Sequence, residues 1–255
     1  TNPGLKMRIQ VTGEVVINDA DPSYRLNVAG DNSSSNGTGM IKGIIGVQND
    51  TTAFGSSPTA GISFQTKYRS SPDVPLDVAA VYGGKENTSD ADKDGYLGFA
   101  TREEGGSGTM ERMRISSSGI VTKPNQPSFS AVCSSHQING YITFDKTNIN
   151  RGSHYNASNG TFTAPVAGAY FFSFYGMAAT GSQNLRVTIR INNADHSSGE
   201  HYGGVGYNSN GTYQQVVINT VLDLSVNDTV RIWWNTSNYN TLHSWHNKFS
   251  GFLIG

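Results

Sequence analysis

Tight-turn dipeptides recur along the chain, while the spacing of apolar residues that marks a helix is almost absent. Asn-Gly and Asp-Gly pairs favour the two-residue turns that join antiparallel strands, because these residues tolerate positive φ angles. They occur at residues 36–37, 94–95, 139–140, 159–160 and 210–211. Apolar and polar residues alternate most clearly in two runs, residues 185–191 and 216–224. The sequence therefore predicts an all-β chain.

Length, charge and cysteine content limit the classes of function. The 255 residues are enough for two domains, and 18 Lys and Arg residues face 19 Asp and Glu residues. This balance indicates no basic surface for nucleic acid or anionic lipid, and no apolar run reaches the roughly 20 residues of a membrane helix. The single cysteine, Cys133, follows Val132, which predicts a buried apolar side chain. The first residue is Thr1, which predicts a piece of a longer protein.

A change of pattern divides the chain near Pro124. The segment TKPNQPSF at residues 122–129 carries two prolines and predicts a linker between a domain at residues 1–123 and another at residues 124–255. The first domain contains a short repeat, in which Met-Arg-Ile at residues 7–9 and again at 113–115 is followed by glycine at the same distance. Gly- and Ser-rich loops separate its short apolar runs, so its core would be marginal in a monomer.

The segment TFTAPVAGAYFFSF, residues 161–174, is apolar on both faces of a strand. Strand parity places Tyr170, Phe172 and Phe174 on one face, which we expect to fill the space between two sheets. The other face presents Phe171, Ser173 and Tyr175. Aromatic side chains on this second face have no role in a monomer, so the segment predicts an assembly.

Four segments of the second half carry a resemblance to a known family. They read FSAV at 129–132, YITFD at 141–145, NGTFTAPVAGAYFFSF at 159–174 and FSGFLI at 249–254. In these segments the chain resembles the globular head of the C1q and tumour-necrosis-factor family. The resemblance implies a ten-stranded jelly roll that assembles as a homotrimer. It also places Phe171, Ser173 and Tyr175 in the sheet that faces the threefold axis.

Two motifs of the first half are similar to the shafts of bacteriophage tail fibres and related bacterial fibres. They are Pro-x-Tyr-Arg-Leu-x-Val-x-Gly at residues 22–30 and Arg-Met-Arg-Ile-x-x-x-Gly at residues 112–119. The resemblance implies a β-rich, intertwined trimeric shaft at residues 1–123, with the head at its distal tip. Together the two resemblances imply a virion tail fibre, or an adhesin on a bacterial surface, that binds a target cell.

Aromatic and amide side chains are dense in the loops of the second half. Rings with a polar edge beside Asn and Ser side chains suit recognition of sugars or peptides. The predicted ligand contacts are Tyr202, Tyr207, Tyr213, Tyr239, His243 and Trp245. Packing between the sheets is the alternative, and it is favoured for Trp234, which shares a strand face with Val230 and Ile232. The predicted partner is a glycan or an envelope protein of a target cell.

One loop of the first half has the beginning of a calcium site. Asp90, Asp92 and Asp94 occupy the first, third and fifth positions of the loop and precede a glycine, but the twelfth position is Thr101 instead of glutamate. The alternative is a polar hairpin turn with solvated carboxylates. A structural calcium ion is the only cofactor that the sequence suggests.

No arrangement of residues with a catalytic spacing is present, so we predict that the chain is not an enzyme. His243 and His246 are three residues apart, which places them on opposite faces of a regular strand and disfavours a metal pair. Two alternatives stay open. A fibre-borne depolymerase would need paired acids across a cleft. A eukaryotic secreted C1q-domain lectin usually carries a Gly-X-Y collagen stalk, which is missing before this head.

Overall fold

A computed structural model describes residues 6–9, 15–18, 59–70, 75–135, 137, 140–178, 185–193, 202–206, 215–236 and 242–255 of the chain. Every helix or strand among them is a β-strand, so the predicted all-β class is confirmed. The chain divides into two compact units, Thr1–Val121 and Thr122–Gly255. Within the described ranges no helix could span a membrane.

The first unit contains a hairpin and an antiparallel meander. The hairpin joins β1 (Lys6–Ile9) to β2 (Val15–Asn18). Neighbouring strands of the meander follow one another in sequence: β3 (Thr59–Lys67), β4 (Pro75–Lys85), β5 (Gly95–Arg102), β6 (Thr109–Ile115) and β7 (Val121–Thr122). The two Met-Arg-Ile copies lie in β1 and β6, and each of these strands is hydrogen-bonded to the short strand that follows it in the chain. The sequence repeat is therefore a repeated hairpin.

One face of the meander carries tyrosine rings and an ion pair. The ring of Tyr82 lies over Gly98 of the next strand, where a Cβ atom would come 2.5 Å from the ring. Its hydroxyl donates to Glu111 Oε2 at 2.8 Å, and Arg114 Nη2 donates to the same oxygen at 2.7 Å. Burial, together with the hydrogen bond to Glu111, raises the pKa of Tyr82 to about 12. The Arg114 guanidinium also stacks on Tyr96 at 3.7 Å.

The other face of the meander is apolar and open. Side chains from four neighbouring strands are paired across it in one row: Ile62, Val81, Phe99 and Met113. Ile62 is 54% exposed, and in the described part of this unit only Gly98 and Ala100 are buried. The strands of the meander, β3 to β7, therefore have almost no core of their own, which agrees with the marginal core that the sequence predicts for a monomer.

The second unit is a sandwich of two antiparallel sheets. Its strands are β8 (Ser128–Val132), β9 (Gly140–Tyr141), β10 (Lys146–Arg151), β11 (Tyr155–Asn156), β12 (Thr161–Thr163), β13 (Gly168–Ala178), β14 (Leu185–Ile191), β15 (Tyr202–Gly206), β16 (Gln215–Leu224), β17 (Thr229–Thr236) and β18 (Leu242–Leu253). The first sheet has the order β10-β8-β18-β13-β16, and the second has the order β11-β12-β17-β14-β15 with β9 beside β17. Apart from the hairpins β11-β12 and β14-β15, successive strands cross between the sheets, which is the jelly-roll arrangement that the resemblance implied.

Aromatic side chains fill the space between these sheets. Tyr170, Phe172 and Phe174 of β13 are fully buried, and Trp234 of β17 is buried against them from the second sheet, which confirms the predicted strand parity. Phe249 of β18 lies at the centre of the aromatic cluster. Its ring centroid is 4.9 Å from that of Phe129, 5.6 Å from Phe144 and 6.0 Å from Phe172. Cys133 is also buried, as predicted, and burial raises the pKa of its thiol.

Short polar contacts hold the turns of the sandwich. Asn227 has a φ of 70°, which asparagine tolerates, and the Asp228 carboxylate accepts from the backbone N–H of Ser225 at 2.7 Å. The Asp145 carboxylate accepts from the backbone N–H of Ser134 at 2.7 Å and from the hydroxyl of the same residue. Burial raises the pKa of Asp145, but the hydrogen bonds from Ser134 outweigh it, so the pKa lies below its ordinary value.

We expect Asp145→Asn to lower the free energy of unfolding by about 1–2 kcal/mol at neutral pH, because the charged acceptor is lost. A carboxylate with a depressed folded-state pKa stabilises the fold above its unfolded-state pKa, near 4, and this contribution disappears as pH falls through the folded-state value. The two proteins should therefore converge in acid. Urea unfolding at several pH values measures this, with Asp223→Asn as an exposed control; a difference that persists in acid would contradict the assignment.

Candidate functional site

Only part of the predicted ligand set lies in the described structure. Tyr207, Tyr213 and Tyr239 lie outside the described residues, and Tyr202 lies in β15, where its backbone pairs with that of Ile189. Their roles therefore stay predictions. His243 and Trp245 both lie in β18, and the structure brings them to one place: Trp245 is 60% exposed and has a φ of 62°, and His243 is half-buried.

The predicted calcium loop is a polar turn between β4 and β5. The Asp92 carboxylate accepts from the Asn87 side chain and from the backbone N–H of Asp94, while Asp90 accepts from the N–H of Ala91. These hydrogen bonds lower the pKa of Asp92. No group of three or more His, Cys, Asp or Glu side chains is arranged to hold a metal ion within the residues that the structure describes. Calcium at this loop stays a prediction.

The prediction that His243 and His246 lie on opposite faces is wrong, because β18 is not regular between them. Leu242 pairs with Ala178 and Asn247 with Gly176, so the four residues between Leu242 and Asn247 oppose a single residue of β13. This bulge turns the two histidines towards each other. Their Nδ1 atoms are 3.1 Å apart, and their ring centroids are 4.4 Å apart.

The outer side of the first sheet is an open face with apolar rows. Phe171 of β13 pairs with Val221 on one side and with Phe252 on the other, and the rings of Phe171 and Phe252 are 5.3 Å apart. Tyr175 pairs with Val217 in a second row. Val217 and Val221 are each 54% exposed and Phe252 is 46% exposed. Adjacent exposed apolar side chains on one face of a sheet are typical of an interaction surface.

A polar row separates the two apolar rows of this open face. Ser173 pairs with Asn219 of β16 and with Ser250 of β18, and Ser250 pairs with Ser130 of β8. The Ser130 hydroxyl is buried, and no hydrogen-bond partner for it lies in the described structure. The residues predicted at the threefold axis, Phe171, Ser173 and Tyr175, therefore lie on β13, with three strands of the sheet on one side of it and one on the other.

The outer side of the second sheet holds a cluster of two arginines and two aromatic rings. Its members, here named the arginine cluster, are Tyr141, Arg190, Arg231 and Trp233. The Arg231 guanidinium carbon lies 3.9 Å from the centre of the Tyr141 ring, and that of Arg190 lies 4.1 Å from the Trp233 ring. The two rings meet edge to face with centroids 4.7 Å apart. These stacks fix both guanidinium groups against apolar surfaces.

The two arginines of the arginine cluster place like charges next to each other on neighbouring strands, which does not stabilise the fold. Arg190 and Arg231 are directly paired across β14 and β17, where like charges destabilise a sheet. Arg231 donates to the Asn159 carbonyl at 2.7 Å, but its Nε is buried without a partner, and no carboxylate of the described residues pairs with it. Burial lowers the pKa of Arg231. The buried hydroxyl of Thr188, opposite Trp233, also lacks a described partner.

Comparison with known proteins decides the family of the second unit. Residues 128–254 match the family described as C1q domain. The chain contains a C1q domain. The open face lies within the matched range, because its residues run from Ser128 to Phe252. The arginine cluster also lies within it, because its residues run from Tyr141 to Trp233.

Several known proteins are similar to this C1q domain. A complement C1q subcomponent of Bos taurus is 30% identical over 139 residues, which are 53% of this chain and 55% of the relative. Complement C1q tumor necrosis factor-related protein 3 of Mus musculus is 29% identical over 119 residues, 46% of this chain and 45% of the relative. The chain thus spans about half the length of the curated relatives it matches.

Solved structures are also similar. The globular domain of zebrafish complement 1qA protein has 22% sequence identity and a TM-score of 0.42, over 51% of this chain and 98% of the other. Murine APRIL has 10% identity and the same TM-score, over 51% of this chain and 99% of the other. These findings concern the C1q domain. The tail-fibre origin of the first half stays a prediction.

The sequence reasoning missed the arginine cluster of the C1q domain. The sequence does predict that Arg190 and Trp233 lie on the outer faces of their strands. Arg190 lies between the apolar residues Ile189 and Ile191, and Trp233 lies between Ile232 and Trp234. The missing information was the register of β14 against β17, which brings together residues some 40 positions apart. One signal in the sequence could have indicated the arginine cluster. Two alternating strand runs both place an arginine on the polar face.

Proposed function

We propose that the C1q domain is the head of a homotrimer and recognises a ligand outside the cell without catalysis. The observation that carries this proposal is the open face, whose exposed apolar rows continue across β16, β13 and β18. A monomer that left these rows in water would lose the free energy of burying them, about 25 cal/mol per Å² of apolar area. Copies of the same face that meet around a threefold axis would bury all three at once.

Trimerisation supplies the mechanism of recognition. Three identical sites on one rigid head bind a surface that displays many copies of a ligand more strongly than one weak site does, because later contacts are intramolecular. One of the two relatives is a complement C1q subcomponent and the other is a C1q tumor necrosis factor-related protein, and both names are consistent with a recognition head. Mass photometry of the intact chain tests the assembly, and a stable monomer at nanomolar concentration would overturn the proposal.

The first unit fits a trimeric shaft in this proposal. Its meander exposes the apolar row that runs from Ile62 to Met113, and its described strands bury only Gly98 and Ala100. Three copies that share this row would obtain the core that a single copy lacks. The test is the oligomeric state of Ile62→Asp: the shaft proposal expects a weaker trimer, and an unchanged trimer would contradict it.

The arginine cluster is the best-supported ligand contact in the described part of the head. It lies on the sheet opposite the open face, so a trimer formed through that face would leave the cluster accessible. Aromatic rings suit the apolar face of a sugar, and paired guanidinium groups suit carboxylate or sulfate groups. The proposed ligand is therefore an acidic cell-surface glycan. Tyr202, Tyr207, Tyr213, Tyr239, His243 and Trp245 stay proposed as further contacts.

A glycan array of the intact trimer tests this ligand class. We expect acidic glycans to bind over neutral ones, and Arg190→Gln with Trp233→Ala to weaken that binding at least about tenfold, a loss of roughly 1.4 kcal/mol. Arg69→Gln, an exposed arginine of the first unit that lies over the ring of Tyr68, is the matched control and should bind like the wild type. Binding that is equal in all three proteins would exclude the arginine cluster as the site.

Two biological settings fit the same head. One is the tip of a tail fibre or bacterial fibre adhesin, which rests on the motifs at residues 22–30 and 112–119. The other is a secreted animal C1q-domain lectin, which agrees with relatives from Bos taurus and Mus musculus. Release of new reducing ends from target-cell glycans would instead show a depolymerase and overturn the non-catalytic proposal.

A further inference from the structure

The bulge in β18 presents three ligand atoms for a metal ion at one point. The Nδ1 atoms of His243 and His246 are 3.1 Å apart, and they lie 2.8 Å and 3.0 Å from the carbonyl oxygen of Ser244. Imidazole nitrogen binds zinc, copper and nickel at about 2.0–2.1 Å. With these bond lengths, two ligand nitrogens are about 2.9 Å apart when the nitrogen–metal–nitrogen angle is a right angle, and about 3.4 Å apart when it is tetrahedral. The observed separation lies between these values.

The protonation of the two imidazoles decides what this arrangement of atoms can bind. The Ser244 carbonyl can only accept, and each Nδ1 either carries a hydrogen or presents a lone pair. If both carry hydrogen, both N–H groups can donate to the carbonyl oxygen, which has two lone pairs. If both hydrogens are on Nε2 instead, two Nδ1 lone pairs and the carbonyl oxygen converge with no donor between them. A cation between the three atoms is attracted to all of them in that tautomer. The geometry therefore suits a metal ion when both Nδ1 atoms are unprotonated.

Neighbouring hydrogen bonds hold the bulge in this shape. The side chain of Asn247, which is almost fully buried, donates to the His243 carbonyl at 2.7 Å and accepts from the N–H of Cys133 at 2.7 Å. The N–H of Trp245 donates to the Cys133 carbonyl at 2.8 Å. The backbone that carries both histidines is thus fixed to Cys133, directly after β8, before any ion binds, which reduces the entropy that binding must overcome.

We propose that His243, His246 and the Ser244 carbonyl bind a divalent transition-metal ion, with Cu²⁺, Ni²⁺ and Zn²⁺ as the chemical class. Imidazole ligands select these ions over calcium and magnesium, which prefer oxygen. Three protein atoms leave at least one coordination position open to water or to a ligand atom. This site is independent of the arginine cluster and of the acidic loop in the first unit.

Cu²⁺ titration of the full chain without an affinity tag tests the site. We expect one ion per chain, with an electron paramagnetic resonance spectrum that shows nitrogen coupling from two imidazoles. Quenching of Trp245 fluorescence should follow the same titration curve, because this indole lies between the two ligands in sequence and is exposed. Absence of stoichiometric binding, or a spectrum without imidazole nitrogen, would overturn the proposal.

Matched variants separate this site from general surface binding. His246→Ala removes one ligand from an exposed position and should lose the one-ion titration, while its circular dichroism stays that of the wild type. His154→Ala removes a histidine from the turn before β11 and should bind like the wild type. Equal Cu²⁺ binding by His246→Ala and the wild type would contradict the site. Because His243 is half-buried, His246→Ala is the decisive variant.

Discussion

Phe171→Asp is expected to convert the proposed trimer into folded monomers. The side chain lies on the open face, between Val221 and Phe252, and points away from the core that Phe172 helps to fill. In a trimer the new carboxylate would be buried without a partner, which costs about 3–5 kcal/mol for each copy. Each 1.4 kcal/mol is tenfold in an equilibrium constant, so three copies are enough to abolish assembly at micromolar concentration.

In a monomer the same carboxylate faces water and has little effect. Analytical ultracentrifugation should therefore report a monomer, while the near-ultraviolet circular dichroism of the aromatic core stays unchanged. Val226→Asp is the matched control, because Val226 is 53% exposed in the turn between β16 and β17 and lies off the open face. If Phe171→Asp still sediments as a trimer when Ile62→Asp has also removed the proposed shaft contact, the open face is not the interface.

The prediction of this face from sequence shows how far strand parity reaches. Parity alone separated Tyr170, Phe172 and Phe174 from Phe171 and Tyr175, because successive side chains of a strand point to opposite sides. The structure places the first three in the core and leaves the other two half-buried. The all-β class and the burial of Trp234 followed from the same rule.

Parity failed where the strand was irregular. A regular strand separates residues three apart, but a bulge with Trp245 at a φ of 62° brings His243 and His246 into contact. A positive φ at tryptophan has no local sequence signal, since tryptophan rarely adopts it. The bulge is fixed by Asn247 and Cys133, which are 114 residues apart, so only the tertiary structure determines it.

Register was the second quantity that the sequence did not determine. The arginine cluster depends on Arg190 lying opposite Arg231 and on Tyr141 lying opposite Trp233. A shift of one residue would turn every side chain of a strand to the other face. The register follows from the burial of Val187 and Trp234, which pair across the same two strands. Burial can be predicted for each strand separately, but the pairing of two strands cannot.

Phe249→Ala is expected to be the most destabilising of these changes to the fold. The ring is fully buried and lies within 6.0 Å, centroid to centroid, of Phe129, Phe144 and Phe172. Its removal leaves a cavity and loses apolar burial, a combined loss of about 3–5 kcal/mol. A domain has only about 5–15 kcal/mol of stability in total, so we expect a fall in Tm of about 10–20 °C.

Phe252→Ala is the matched control, because it removes the same side chain from the same strand on the opposite face. Trimer formation would couple assembly to unfolding, so both changes are best compared in the monomeric Phe171→Asp background. There Phe249→Ala should keep its full loss in urea unfolding, whereas Phe252→Ala should stay within about 0.5 kcal/mol. In the native background Phe252→Ala should instead weaken assembly. Equal losses in the monomer would mean that the open face belongs to the core of the head, and that its exposed rows are no argument for a trimer.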